Sequence, residues 1–274
     1  MSAFHEQGGA ASVTPAKMHT YDLFNLKKRT TIVTGGIGAL GLEFTRGIII
    51  PDKTLTSVTE KLQQLAQACG SKLPYNQCDI TDPGATRAIF QNAVSQARFP
   101  LRGLVACAGL CTIGPSINFS LSDWKRIVDV NLQGVFVCAQ AAANIISQQE
   151  LPASFVFIAS MSGYVVNRGI DCAAYNCSKA GVHQLTRSLA SEWGSQKDCP
   201  QIRVNSLSPG YIRTRMTEPL LKNSTQEPLM SGGSMLNRVS DPDEYRGPAV
   251  FLLSDASSFM TGADLLVDGG YTGW

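Results

Sequence analysis

At 274 residues, 44% hydrophobic and 16% charged, the chain can bury a substantial core within one α/β domain, so its length requires no second one. The net charge of +2 comes from scattered basic residues, without the stripes and interleaved aromatics of a nucleic-acid or anionic-membrane surface. A small neutral or anionic molecule is the partner this composition suits.

The opening residues, MSAFHEQGGAASVTPAKM, contain no continuous apolar run of the kind a signal peptide needs, and they read as a disordered tail over 1–18. No later run approaches the roughly 18 apolar residues of a membrane helix, so the expected location is the cytoplasm. The eight cysteines, at 69, 78, 107, 111, 138, 172, 177 and 199, form no CxxC pair and have no His at ligand spacing. They read as reduced core thiols, with no metal site.

From Thr30 onward, short β-branched runs alternate with helical patterns, the signature of a parallel sheet covered on both faces. Strands are expected at 31–34, 73–80, 103–109, 154–160, 202–210 and 263–270, and helices at 53–68, 83–96, 122–147, 173–194 and 241–253. The fold expected is a single Rossmann-like, doubly wound α/β domain over 19–274. The 212–240 segment, rich in Thr, Ser, Gly, Pro and Met, is a long excursion past a strand's carboxyl end and reads as a substrate lid.

Within this order, TGGIGALG at 34–41 joins a strand to a helix through glycines, presenting backbone N–H groups and a helix N-terminus that favour a pyrophosphate. Glycines also serve ordinary turns. A sharper signal is YNCSK, in which Tyr175 and Lys179 are four residues apart and share a helix face. An ammonium beside a phenol favours the phenolate, which tunes a group of ordinary pKa near 10 for acid–base work. Ser160 ends the apolar strand SFVFIAS, where its hydroxyl can point into the crevice above the sheet; Ser162 in the same turn is its rival. Asn131 lies in the otherwise apolar stretch WKRIVDVNLQGVFVCAQ, either holding a water linked to Lys179 or bonding nearby backbone at a helix kink.

TGGIGALG, DVN, ASMSG, YNCSK and NSLSPGYIRT stand in the order and spacing of the short-chain dehydrogenase/reductase family, which the chain resembles over nearly all of 26–274. LFNLKKRTTIVTGG, AAYNCSKAGV and SDASSFMTGADLLVDGGY look most similar to its mannitol dehydrogenase, sorbose reductase and xylulose reductase type. The resemblance implies an oxidoreductase that passes a hydride between NADP(H), or NAD, and a ketone or secondary alcohol. Tyr175 would be the general acid, Ser160 would polarise the carbonyl, Lys179 would hold the nicotinamide ribose, and Asn131 would anchor a relay water. Cofactor contacts would come from Gly35, Gly38, Leu40, Gly41, Asp79, Ile80, Ala108, Gly109, Pro209, Gly210, Ile212 and Thr214, together with Tyr175 and Lys179. A homo-tetramer or homo-dimer is implied as well.

The chain departs from the family pattern in three places. Ala39 stands at the middle glycine, where a Cβ could crowd a pyrophosphate, and Cys107 replaces an amide that braces strand and cofactor. If 48–50 were the second strand, the helix before it would span 40–46, about 10 Å at 1.5 Å per residue, too short for a parallel crossover. Around ten residues are inferred to be missing relative to the family pattern, so the second strand is expected to be truncated or missing, and with it the residue after that strand that distinguishes a ribose hydroxyl from a 2′-phosphate. These departures support a second reading, a pseudoenzyme, non-redox catalyst or binding subunit on the same scaffold.

Overall fold

A computed structural model describes residues 19–48, 76–195 and 199–274. Its sheet has five parallel strands in the order β1-β2-β3-β4-β5: Thr30–Thr34, Leu101–Ala106, Ala153–Ile158, Ile202–Pro209 and Asp264–Val267. Registers bring Thr34 beside Ala106, Ala106 beside Phe157, Ile158 beside Leu207 and Pro209 beside Val267. The carboxyl ends of the strands therefore form one edge, where open α/β sheets bind ligands.

Alternation along the strands sends side chains to two cores. On one face, Leu104, Ala106, Phe155, Phe157 and Val204 meet α2 (Pro83–Ser95), α4 (Gly134–Gln149) and α5 (Ala173–Trp193), through Phe90, Cys138, Ile146, Val182 and Leu189. On the other, Val105, Val156, Ile158 and Leu207 meet Phe44 of α1 (Ala39–Ile48) and Ala249 and Leu252 of α8 (Arg246–Leu253). The expected doubly wound, single-domain architecture is present. Helix α8 is preceded by a separate 3₁₀ turn at Pro242–Tyr245.

The helix expected over 122–147 is continuous but not uniform. A π-helical turn, Asp129–Gln133, separates α3 (Leu121–Val128) from α4. The whole run, Leu121–Gln149, is long and apolar enough to cross a membrane by length and composition, with a hydropathy of 1.3. Its apolar face instead packs on the sheet through Val135, Cys138, Ala142 and Ile146.

The strand expected at 73–80 is not found over 76–80; 73–75 lie outside the described residues, as do the 53–68 helix and the 1–18 tail. A strand needs a partner, and among the described residues β1 pairs with β2 alone. Residues 79–82 form a local turn: the Asp79 carboxylate accepts from Thr81 N and Oγ1 at 2.9 and 2.7 Å, and Asp82 caps α2. Ile48, weighed as the start of a strand, ends α1 instead.

The seven described cysteines are free, but the uniform core reading fails. Cys138 and Cys172 are buried, Cys177 is exposed and the other four are half-buried. Cys69 lies outside the described residues.

Candidate active site

A cleft of about 1920 Å³ runs along the carboxyl edge of the sheet, lined at one end by the turn after β1 and at the other by the segment after β4. Gly35 opens that turn with φ +64°, and a Cβ there would stand 2.9 Å from the Ala108 backbone. Only glycine satisfies both demands. The turn closes by Gly38 N donating to Gly35 O at 2.9 Å, after which α1 begins. A Cβ at Gly41 would lie 2.2 Å from Gly35 O, so the helix can approach only without one. Ala39 occupies the first helical position and is exposed on the cleft side, so its methyl strains nothing within the chain.

Strand β2 ends beside this turn. Thr34 Oγ1 accepts from the backbone N–H groups of Cys107 and Ala108 at 3.1 and 3.3 Å, so the two strand ends are braced without an amide at position 107. Burial pushes the Cys107 thiol up to about 12, keeping it neutral. Asp79 is exposed, its carboxyl held below the usual range by its bonds to Thr81, whereas Ile80 is buried against α4. A Cβ at Gly134 would lie 2.6 Å from Ile80 Cδ1.

Ser160 follows β3 in extended conformation, and its Oγ accepts from Ser162 N at 3.1 Å. It donates to Ser162 Oγ at 3.1 Å, and of the two serines it is Ser160 that acts on the Tyr175 phenol, opposing the upward pull of burial, which separates it from its rival. Tyr175 lies in the first turn of α5 and Lys179 in the next. Lys179 is buried, donates to Ile158 O at 2.6 Å and sits 5.6 Å from the Tyr175 ring centroid. Burial drives the ammonium down to about 8. Burial likewise raises the Tyr175 phenol well above its ordinary value, with the Ser160 bond opposing. The expectation that the neighbouring amine tunes the phenol downward is therefore corrected: desolvation wins, and the phenol keeps its proton.

Asn131 is the one predicted residue that does not line the cleft. It is fully buried, accepting from Leu110 N at 2.9 Å and donating to Leu110 O at 2.9 Å and Ser178 Oγ at 3.1 Å. The amide thus ties the π turn to the segment after β2. A Cβ on Gly109 would stand 3.4 Å from Asn131 Oδ1 and 3.7 Å from Lys179 Nζ, which places both groups beside that glycine.

Past β4, Gly210 N donates to Val267 O at 3.0 Å, and a Cβ there would lie 2.7 Å from Asp268 Cα. Ile212 is buried and bridges to Ser240, while Thr217 Oγ1 bonds Ile212 O and accepts from Thr214 N at 3.0 Å. Two short helices, α6 (Glu218–Leu221) and α7 (Gln226–Ser231), fill the excursion, which lines the cleft with Thr214, Met216 and Leu220.

The cleft also contains residues that sequence reasoning missed. Asn167 is buried and donates to the Tyr211 hydroxyl at 3.0 Å; Cys172 Sγ lies 3.5 Å from Asn167 Oδ1; Cys111 and Ile170 complete that wall. Burial raises Cys111 to about 11 and Cys172 to about 12. Their one sequence signal is position, just after strand β2 or just before Tyr175.

A glycine turn after the first strand, with Ser, Tyr and Lys gathered at the ends of later strands, defines a dinucleotide-binding α/β protein of Rossmann type. Comparison with known proteins is consistent: the family model described as enoyl-(acyl carrier protein) reductase matches residues 48–272. The short-chain dehydrogenase/reductase notP' of Aspergillus versicolor is 46% identical over 92% of this chain and 90% of that protein. The NADP-dependent mannitol dehydrogenase of Hypocrea jecorina is 36% identical over 94% and 97%. Among solved structures, the NADPH-dependent 3-quinuclidinone reductase of Rhodotorula rubra superimposes with a TM-score of 0.83 at 29% identity, covering 98% of this chain and 99% of that one. The chain belongs to the short-chain dehydrogenase/reductase family.

Proposed function

We propose that the protein is an NADP(H)-dependent oxidoreductase interconverting a ketone and a secondary alcohol. The observation that carries this reading is that Ser160, Tyr175 and, one helical turn on, the buried Lys179 amine line a single cleft that begins at a glycine turn. The cradle fits a pyrophosphate, because the glycine turn of residues 35–38 and the N-terminus of α1 line the cleft together, where backbone N–H groups and the helix end favour an anion. Bound there, NADPH would supply the hydride for a substrate carbonyl carbon and would be left as NADP⁺.

The chain's own groups manage the oxygen and its proton. Ser160 Oγ holds the carbonyl oxygen by a hydrogen bond that strengthens as negative charge develops there. Tyr175 Oη gives its proton to that oxygen, so the product is a neutral alcohol; in the oxidative direction it takes the proton back. Lys179 spends one N–H on Ile158 O and has others to offer a ribose hydroxyl. Asn131 acts from behind, fixing Leu110 and thereby the Ala108–Gly109 segment that flanks the amine.

The substrate is read as a hydroxy-ketone. Asn167 and Tyr211 offer polar contacts on a wall that also carries Cys111, Ile113, Ile170, Cys172, Met216 and Leu220, and the Hypocrea relative named as a mannitol dehydrogenase supports the same class. We further propose that 212–240 closes over that substrate, that the protein works in the cytoplasm, and that it assembles as a homo-dimer or homo-tetramer. Fluorescence titration with NADPH, followed by turnover across hydroxy-ketones, sugars and polycyclic ketones, tests the reading. Saturable binding with hydroxy-ketone turnover supports it; binding without turnover of any ketone favours a binding subunit.

A further inference from the structure

His183 lies on α5 one turn beyond Lys179 and is buried. Its ring touches three other elements. Nε2 stands 2.8 Å from Ser208 Oγ of β4 and 3.6 Å from Asp264 Oδ1 of β5. Tyr164, just past the turn that follows Ser160, stacks on the imidazole with centroids 4.2 Å apart and planes 28° from parallel. Gly163 in that turn makes room for the ring: a Cβ there would lie 2.7 Å from His183 Cε1 and 2.9 Å from Nδ1.

The hydrogen bonds around the ring run in one direction. Ser206 and Ser208 both donate to Asp264 Oδ1, at 2.5 and 2.8 Å. Since the Ser208 proton is committed to the carboxylate, its oxygen accepts, which assigns the proton of the neutral imidazole to Nε2 and leaves Nδ1 bare against Gly163. Each contact adjoins the reaction site: Ser208 precedes Pro209 and Gly210, Gly163 and Tyr164 follow Ser160, and α5 carries Tyr175 and Lys179.

We propose that His183 is a positioning residue for hydride transfer, locking α5, the turn after Ser160 and the end of β4 into one geometry. The proposal rests on the reductase reading above. The groups facing the ring are Asp264 from β5, Arg187 and Lys179 from α5, and the Tyr164 phenol, itself raised to about 12 by burial first and then by Asp264. Burial leads in holding His183 below its ordinary 6.5, Arg187 and Lys179 add to it, and Asp264 opposes. A second proton would place a donor against Gly163 and pull the ring toward Asp264, so turnover should fall as pH drops through the His183 range.

The test compares His183→Ala, His183→Gln and Tyr164→Leu with wild type, the last removing a half-exposed ring that does not line the cleft. His183→Ala should lower kcat roughly 10- to 100-fold, the scale of a misplacement of about 1 Å, with KM and the NADPH Kd within about threefold. His183→Gln, which keeps a donor for Ser208, should recover most of that loss while abolishing the acid limb of the pH profile. Tyr164→Leu should lower kcat several-fold with melting temperature unchanged. Backbone hydrogen exchange at 158–164 and 206–210 should quicken in His183→Ala and not elsewhere. An acid limb that persists in His183→Gln, no recovery by Gln, or unchanged exchange overturns the proposal. If wild type binds NADPH yet turns over no ketone, the reductase reading falls by itself, and the exchange measurement still decides whether His183 locks the three elements.

Discussion

Around Ser160 and Tyr175 the cleft is built on β3 and β4, each paired on both sides, and its polar groups are fixed by buried hydrogen bonds to backbone. Around Gly35 it is built on β1, which among the described residues pairs with β2 alone, and Asp79 turns back on Thr81. The first region is preorganised by tertiary packing, whereas the second depends on local turns and the absence of Cβ atoms. Chemistry and cofactor affinity should accordingly fail independently when the two regions are disturbed.

The largest effect should come from Tyr175→Phe, which removes one hydroxyl and keeps the ring. Carbonyl reduction should drop by roughly 100- to 10,000-fold with NADPH affinity unchanged, measured by steady-state kinetics and fluorescence titration. Ser160→Ala should also lower turnover, as it removes the hydroxyl proposed to hold the substrate oxygen. If either change weakens NADPH binding as much as turnover, the two regions are not separable.

Next comes Lys179, whose amine is buried and lowered to about 8 from an ordinary 10.5. Below pH 8 both folded and unfolded chains carry the charge, and burial of that charge costs stability. Between about pH 8 and 10.5 the folded chain sheds the proton while the unfolded chain keeps it, so this penalty is relieved as pH rises. Lys179→Met should therefore be more stable than wild type below pH 8, by an advantage that shrinks toward pH 10.5, as read from paired urea titrations. The same variant should lose turnover and weaken NADPH binding, because the proposed function gives the amine a part in both regions. An advantage that does not change with pH would contradict the burial argument.

Smaller again is Asn131→Ala. It strips Leu110 N–H and C=O of their side-chain partners and should cost about 1–3 kcal/mol in urea unfolding, with a modest loss of turnover. The smallest change tests the weaker region: Ala39→Gly removes a methyl exposed toward the cleft. NADPH affinity should tighten by less than about tenfold, equivalent to less than about 1.4 kcal/mol, while helix propensity costs up to about 1 kcal/mol of stability. Unchanged affinity would mean that the methyl does not crowd the cofactor.

The same contrast explains which features the sequence announces. YNCSK and the strand ending at Ser160 are legible because helix spacing and apolar runs report local structure, and the structure brings those residues into contact. The strand expected over 73–80 failed at 76–80 because a strand exists only where a neighbour completes its hydrogen bonds, and periodicity carries no information about neighbours. The π turn at Asn131 lies inside a pattern that reads as one helix, since a single inserted residue barely disturbs apolar spacing. Asn167 and Cys172 share the loop before α5, and they meet Tyr211, which follows β4, only in three dimensions. The direction of the Tyr175 shift is not legible in the sequence, because proximity to Lys179 is visible there and desolvation is not.

The central claim, that the Ser160, Tyr175 and Lys179 side of the cleft performs hydride transfer, is tested most directly with NADPH deuterated at the transferring position. With a hydroxy-ketone that the wild type accepts, mass spectrometry should find one deuterium on the carbinol carbon of the product, and that labelled alcohol should all but vanish with Tyr175→Phe although NADPH still binds. Tight NADPH binding without labelled product from any ketone, or label transfer undiminished in Tyr175→Phe, would contradict it.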